Sequence, residues 1–329
     1  EFWIDCGGTF TDIVARNPVG EIVSHKLLSE NPEHYPDAVL EGIRNLLGVN
    51  STDPIPSKLI QSVKIGTTVA TNALLERKGE ATLLLTTKGF RDALRIGYQN
   101  RPRLFDKHIQ LPEMLYSQVI EIDERFSANG EVLLHLDEAT VRQELKAVFD
   151  KGLITSVAIV FMHAFRFNEH ERTVAQIASE IGFSQISVSH KVSPLIKMIS
   201  RGDTTVVDAY LTPILRRYID RIALELDETH LMFMQSNGGL TDAKLFQGKD
   251  SILSGPAGGV VGMVHTAAEN YFKKVIGFDM GGTSTDVSHY DGFYERSFET
   301  QVAGIRMRTP MMSIHTVAAG GGSILQFDN

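Results

Sequence analysis

The sequence predicts an α/β fold in two lobes, and three observations carry that expectation. β-prone and helical runs alternate along most of its 329 residues. That length exceeds what one hydrophobic core usually fills, about 250–300 residues. One eight-residue pattern also occurs twice, each time at the end of an apolar run of strand character. Composition sets the outer bounds. Hydrophobic residues make up 43% and charged residues 22%, the balance of a soluble globular protein. A net charge of -8 argues against nucleic acid or an anionic membrane as partner. The single cysteine, Cys6, allows neither a disulfide nor a cysteine zinc site within the chain and fits a cytoplasmic setting. No run approaches the roughly 18 apolar residues of a membrane span, and no signal peptide is visible. The sequence starts Glu1-Phe2 and stops at Phe327-Asp328-Asn329 just after a glycine-rich loop, and it reads as a piece of a longer polypeptide.

Three β-rich runs open the chain at 2–5, 12–16 and 21–27, with Asn17-Pro18-Val19-Gly20 as the turn between the last two. Pro36-Asp37-Ala38 leads into Val39, Ile43, Leu46 and Leu47 at helical spacing. A strand at 63–66, a helix at 69–77, a strand at 82–86 and a helix at 90–96 follow. Residues 99–135, rich in Arg, Pro and polar groups, are expected to form an inserted subdomain or long loops. Alternation resumes with a helix at 138–149, a strand at 156–162, helices at 169–181 and 210–226, and a strand at 231–235. Met311-Met312 reads as core.

The long-range repeat carries the chemistry. Asp5-Cys6-Gly7-Gly8-Thr9-Phe10-Thr11-Asp12 recurs as Asp279-Met280-Gly281-Gly282-Thr283-Ser284-Thr285-Asp286. Each copy follows an apolar strand and leads into a second β-prone run. A Gly-Gly pair lets backbone turn tightly and come close to a ligand. Successive N–H groups then converge on a phosphate, with threonine hydroxyls as further donors. An aspartate at the strand end repels phosphate but suits Mg²⁺, commonly through water. Because the flanks are strand and strand, this is not the glycine loop that opens a helix in P-loop or Rossmann proteins.

Paired β-hairpin phosphate loops, one per lobe, resemble the actin, heat-shock chaperone and sugar-kinase superfamily (ribonuclease H-like). That superfamily sets a helix before its second loop, and Ser254-Gly255-Pro256-Ala257-Gly258-Gly259-Val260-Val261-Gly262 fills the slot. More strings narrow the match. They include Gly66-Thr67-Thr68-Val69-Ala70-Thr71-Asn72, Thr87-Lys88-Gly89-Phe90-Arg91-Asp92, Ala209-Tyr210-Leu211-Thr212-Pro213, Met234-Gln235-Ser236-Asn237-Gly238-Gly239 and Thr316-Val317-Ala318-Ala319-Gly320-Gly321-Gly322-Ser323. With the two aspartate loops they resemble the hydantoinase A/oxoprolinase family from end to end. Leu27-Leu28-Ser29-Glu30 and the 101–105 region point to its 5-oxoprolinase branch; Cys6 departs from it, since that branch carries Arg there.

The resemblance implies an ATP- and Mg²⁺-dependent two-lobed enzyme with an incomplete second lobe. Residues 1–185 would form the first lobe with loop 1 and the insertion. Residues 186–329 would hold an interlobe helix near 255–270, loop 2 and the start of the second lobe. The implied reaction is hydrolytic opening of the lactam 5-oxo-L-proline to L-glutamate through phosphorylation of the amide oxygen. An ATP-dependent hydantoinase or an acetone/acetophenone carboxylase subunit is the alternative, and a non-catalytic ATPase module a more remote one. Asp5, Asp12, Asp279 and Asp286 would be catalytic, holding Mg²⁺ or its waters. Gly7, Gly8, Thr9, Thr11, Gly281, Gly282, Thr283 and Thr285 would cradle phosphates. A hydantoinase B-type portion or subunit and self-association into a homo-oligomer are further expectations. The adenosine site and the hydrolytic part would lie beyond residue 329, so residues 1–329 alone are not expected to open the lactam.

Other residues have two readings each. Thr67 and Thr68 either present helix amides to a substrate carboxylate or cap that helix. Ser236, Asn237, Gly238 and Gly239 either line the cleft or form a turn, and 320–323 likewise. Arg91 and Arg201 either pair with a carboxylate or are ordinary exposed arginines. Cys6 reads as a packed residue rather than a nucleophile.

Overall fold

The structure, a computed structural model, describes residues 1–50, 52–99, 105–109, 111–282, 284–324 and 326. It opens on a meander of β1 (Phe2–Cys6), β2 (Phe10–Arg16) and β3 (Ile22–Leu28). Alternation sends Phe2, Ile4, Ile13 and Ala15 into the core and leaves Trp3, Asp5, Asp12 and Val14 on the opposite face. The guanidinium of Arg16 and the ammonium of Lys64 lie 5.5 and 4.8 Å from the Trp3 ring centre. Helix α1 (Ala38–Leu47) covers the core face. Its N-cap Asp37 accepts from the amides of Val39 and Leu40, and it ends at Gly48 with φ 67, a left-handed cap that glycine adopts without strain.

Strand β4 (Ser62–Thr67) runs parallel to β1, and the short α2 (Val69–Leu75) leaves from its end. Next come β5 (Thr82–Thr87), β6 (Tyr116–Ile122), α3 (Glu138–Phe149), β7 (Ser156–Val160), α4 (Glu169–Ile181) and β8 (Gln185–Val188). Their strands make a second, all-parallel sheet in the order β8-β7-β5-β6. The two central strands, β5 and β7, are buried at every position, as continuous apolar runs covered on both faces must be. Strand β6 lies inside the stretch expected as an irregular insertion. Its Ser117, Gln118 and Glu121 are tolerable because it is a half-buried edge strand.

Helix α5 (Met198–Glu225) joins the two cores: Val206, Val207 and Leu211 pack into one, Leu215, Ile219 and Ile222 into the other. It begins about three turns before the expected start at Tyr210. Those turns are buried all round and so lack an apolar stripe; the hydroxyls of Thr204 and Thr205 donate to the carbonyls of Ser200 and Arg201 at 2.8 and 2.7 Å. Then β9 (His230–Met234) adds parallel to β4 and β10 (Leu240–Asp242) closes a six-stranded sheet, β10-β9-β4-β1-β2-β3.

Helix α6 (Ser254–Glu269) leads to a small antiparallel sheet of β11 (Lys274–Met280), β12 (Thr285–Asp291) and β13 (Ile314–Val317). Between β12 and β13 a hairpin, Thr300–Val302 with Ile305–Met307, reaches back to α5. Ile305, Met307 and Met311 enter the core beside Val206 and Leu211, and Arg306 Nε donates to Asp203 Oδ2 at 2.9 Å. Among the described residues no helix is long and apolar enough to cross a membrane.

Candidate active site

Among the described residues the two aspartate hairpins share one register. In loop 1 Asp5 faces Asp12, Cys6 faces Thr11, and the Gly7 N–H donates to the Phe10 carbonyl at 3.0 Å. In loop 2 Asp279 faces Asp286, Met280 faces Thr285, and the Gly281 N–H donates to the Ser284 carbonyl at 2.9 Å. The equivalence extends to a third strand, where Asp12 pairs with Lys26 on β3 and Asp286 with Thr316 on β13. Lys26 Nζ lies 2.7 Å from both oxygens of Asp12, and the Thr316 hydroxyl donates to Asp286 Oδ1 at 2.6 Å. Neither partner was singled out from sequence; their proximity follows from register, which no local string encodes.

Gly8 and Gly282 sit at open loop tips, and Thr9 is exposed. Thr283 lies outside the described residues, as do 101–104 and 327–329. Thr11 and Thr285 turn to the buried side of their hairpins. Thr11 shares a hydrogen bond with Ser29 Oγ, which donates to the Gly7 carbonyl at 2.7 Å, and the Thr285 hydroxyl donates to the Ala319 carbonyl at 2.6 Å. In this arrangement both brace their loops from beneath. A third glycine segment seats on loop 2: the N–H groups of Gly321 and Gly322 donate to the carbonyls of Gly281 and Gly282 at 2.9 and 3.2 Å.

Like charges directly opposite on neighbouring strands destabilise a sheet, and this protein keeps such a pair in both hairpins. The two pairs share one field. Partial burial pushes the Asp5 carboxyl above its usual range, and the charges of Asp12 and Asp279 push it the same way against the pull of Lys26. Helix α6 spans the hairpins. A side chain at its Gly255 would stand 3.2 Å from Asp5 Oδ1, and Gly259 and Met263 line a groove with Asp279 and Asp286.

Of the remaining candidates Thr67 and Thr68 line one cleft with Gly7 and Gly8, whereas Arg91, Arg201 and residues 236–239 are engaged elsewhere. The Thr68 N–H donates to the Cys6 carbonyl at 3.2 Å and the Val69 N–H to Thr67 Oγ1 at 3.2 Å, so both amides at the start of α2 are engaged. Arg91 is paired with Glu121 at 3.2 Å. Arg201 is no exposed arginine: it is fully buried and donates to Ser189 Oγ and to the carbonyls of Leu195 and Phe161. The Ser236 hydroxyl is buried against the carbonyls of Asp250 and Ile252, and Asn237 Oδ1 accepts the Gly239 N–H at 2.7 Å around Gly238 at φ 82, a turn in which these groups satisfy one another. Cys6 touches the Tyr218 hydroxyl at 3.5 Å, and burial pushes its thiol up to about 12, which leaves it inert as a nucleophile.

Comparison with known proteins supplies the family. Residues 1–182 match the hydantoinase/oxoprolinase N-terminal region, and residues 201–329 match hydantoinase/oxoprolinase. The chain belongs to the hydantoinase/oxoprolinase family. Within it, a 5-oxoprolinase of Saccharomyces cerevisiae is 46% identical over 99% of this chain, which spans 28% of that relative's length. The crystal structure of an ATP-dependent caprolactamase from Pseudomonas jessenii matches all of the chain and 49% of its own, with TM-score 0.83 and 31% identity. A nucleotide-free acetone carboxylase shares the mixed α/β fold over 99% of this chain and 49% of its own, with TM-score 0.82 and 23% identity.

Proposed function

We propose that this chain binds ATP at its two hairpins, in the manner of the actin, heat-shock chaperone and sugar-kinase superfamily, and that the enzyme it serves opens 5-oxo-L-proline to L-glutamate. The observation that carries the reading is the duplicated hairpin: two identical registers, each with an opposed aspartate pair, joined by the glycine-rich start of α6. Opposed carboxylates cost stability unless a cation comes between or near them. The identity to 5-oxoprolinases supports the choice of lactam.

The residues fit Mg²⁺ as a sparsely ligated ion. Among the described residues no three metal-ligating side chains converge, so Asp5, Asp12, Asp279 and Asp286 would hold the ion by one or two carboxylates or through its waters. When bound, Mg²⁺ neutralises phosphate charge. An amide carbonyl is a poor electrophile because resonance stabilises it. Transfer of the γ-phosphoryl group to the lactam oxygen, with ADP leaving, gives a species that water attacks at carbon. The chain's own part in the first step is positioning. The Gly7 and Gly281 N–H groups close the hairpins, the tips at Gly8 and Gly282 carry their backbone N–H groups without a side chain in the way, and the Ser29 and Thr285 hydroxyls hold the loops in shape. A relative is named caprolactamase subunit alpha, which favours a companion hydantoinase B-type portion here.

The test is a substrate panel on the full-length protein, with ADP release measured on 5-oxoproline, hydantoin, caprolactam and acetone. ADP release coupled to glutamate with 5-oxoproline is expected. Coupling to another member of the panel, or ATP hydrolysis indifferent to all four, would replace the lactam assignment.

A further inference from the structure

Parallel β1 and β4 end side by side, Cys6 opposite Thr67, and then part. β1 turns into loop 1 toward β2, while β4 leads away into α2. Neighbouring strands whose continuations leave in different directions open a crevice at their carboxyl ends, the usual ligand position in an α/β sheet. Here it is a cleft of about 310 Å³. Gly7 and Gly8 of loop 1 form one wall, Thr68 and Asn72 another, Tyr218 and Arg221 of α5 close an end, and the carboxylates of Glu30 and Asp37 also line it. Clefts from about 300 Å³ upward hold small molecules.

Loop 1 therefore has two sides. Asp5 and Asp12 occupy one face of the sheet, and Cys6 and Thr11, which line the cleft, belong to the other. Gly7 and Gly8 line the cleft and follow directly on the strand that carries Asp5. The cleft's polar groups select what enters it. Arg221 donates to Asp37 Oδ2 at 2.8 Å, and its guanidinium lies 5.8 Å from the Tyr218 ring centre. Asp37 is itself fixed as the cap of α1. Nε and Nη1 of Arg221 make no hydrogen bond among the described residues, and 54% of the side chain is exposed. A guanidinium held by one carboxylate, with donors left over and facing a small cleft, matches a second carboxylate.

We propose that this cleft is the substrate subsite, that it takes a small cyclic amide bearing a carboxylate, and that Arg221 holds that carboxylate while the amide oxygen points to Gly7-Gly8. This placement rests on the lactam reading above. Arg221 would thus set specificity without touching the reacting atoms, and its removal should discriminate between lactams with and without the acid group.

Equilibrium dialysis on the full-length protein, with Mg²⁺ and a non-hydrolysable ATP analogue present, tests the subsite with two probes: 5-oxoproline, and 2-pyrrolidinone, which lacks the carboxylate. Wild type should bind 5-oxoproline saturably, and Arg221→Gln and Arg221→Lys should bind it at least about tenfold more weakly. Binding of 2-pyrrolidinone should be equal in all three. Arg221→Lys keeps a cation beside buried Asp37 and decides the matter if Arg221→Gln melts early. Absence of saturable 5-oxoproline binding in wild type, or unchanged affinity in folded Arg221→Lys, overturns the subsite. Glutamate formation by wild type is scored separately. A protein that binds 5-oxoproline through Arg221 yet releases no glutamate keeps the subsite and loses the proposed reaction.

Discussion

At the scale of single residues, the carboxylates of Asp12 and Asp286 occupy equivalent positions but have different company. Lys26 already neutralises Asp12, whereas Asp286 has a threonine hydroxyl. Both carboxylates serve the nucleotide in the proposed reaction, and neither supports a core. Asp12→Asn and Asp286→Asn in the full-length protein should therefore each lower ATP turnover by about a hundredfold or more, as a misplaced phosphoryl group does. Thermal midpoints should shift little, because substitutions at such surface positions stay within about 0.5 kcal/mol. Unchanged turnover in both variants would remove the pair from the mechanism. The two aspartate loops were legible from sequence because they form a local string that occurs twice, and the two copies share one hairpin register. Lys26, Ser29 and Arg221 were not, because each acquires its neighbour through strand register or through a helix packed from far along the chain.

At the scale of elements, the glycine segment 320–322 has the sharpest steric requirement near the site. A Cβ at Gly320 would stand 2.6 Å from the backbone carbon of Gly282, whereas one at Gly321 would meet nothing closer than 3.8 Å. Backbone cannot yield as a flexible side chain does. Gly320→Ala should displace loop 2 and weaken ATP binding, seen as a rise of about tenfold or more in KM for ATP. Gly321→Ala should leave KM near the wild-type value, and equal effects from the two substitutions would show that contact with loop 2 is not what constrains the segment. Helices 138–149 and 169–181 and the paired hairpins could be read directly because amphipathic spacing or a repeated motif marks them. The first half of α5 could not: buried on all sides, it carries threonines and aspartates that look like loop until their partners are known. Strand β6 failed for the opposite reason, as an edge strand with polar residues.

At the scale of the whole molecule, the hairpin at 300–307 straps later chain to α5 through Arg306 and Asp203. Burial pushes the Asp203 carboxyl up to about 6 from 3.8, even though Arg306 pulls the other way. A carboxyl that holds its proton more tightly folded than unfolded contributes stability that is complete below the unfolded value and lost as pH rises through the folded one. The window runs from about 4 to about 6, and two pKa units correspond to about 3 kcal/mol at most. Asp203→Asn cannot titrate. Relative to that variant, wild type should therefore lose thermal stability between pH 4 and pH 7, and a melting-temperature difference that is the same at both ends would exclude the shift. That strands and helices alternate in an α/β fold was readable from the rhythm of the sequence. That a late hairpin completes an early core was not, since Ile305 and Met307 lie about a hundred residues from Val206 in sequence.

Trp3 stands on β1 two residues before Asp5 and on the same face, with Arg16 and Lys64 close to its ring. It is also the only tryptophan in the sequence. Within residues 1–329 indole fluorescence thus comes from one emitter, on the strand that ends in loop 1, with an electronic environment set by two nearby positive charges. Any movement of β1 that changes the distance to either charge alters the emission, so residues 1–329, unlabelled, carry their own optical gauge of what happens at loop 1.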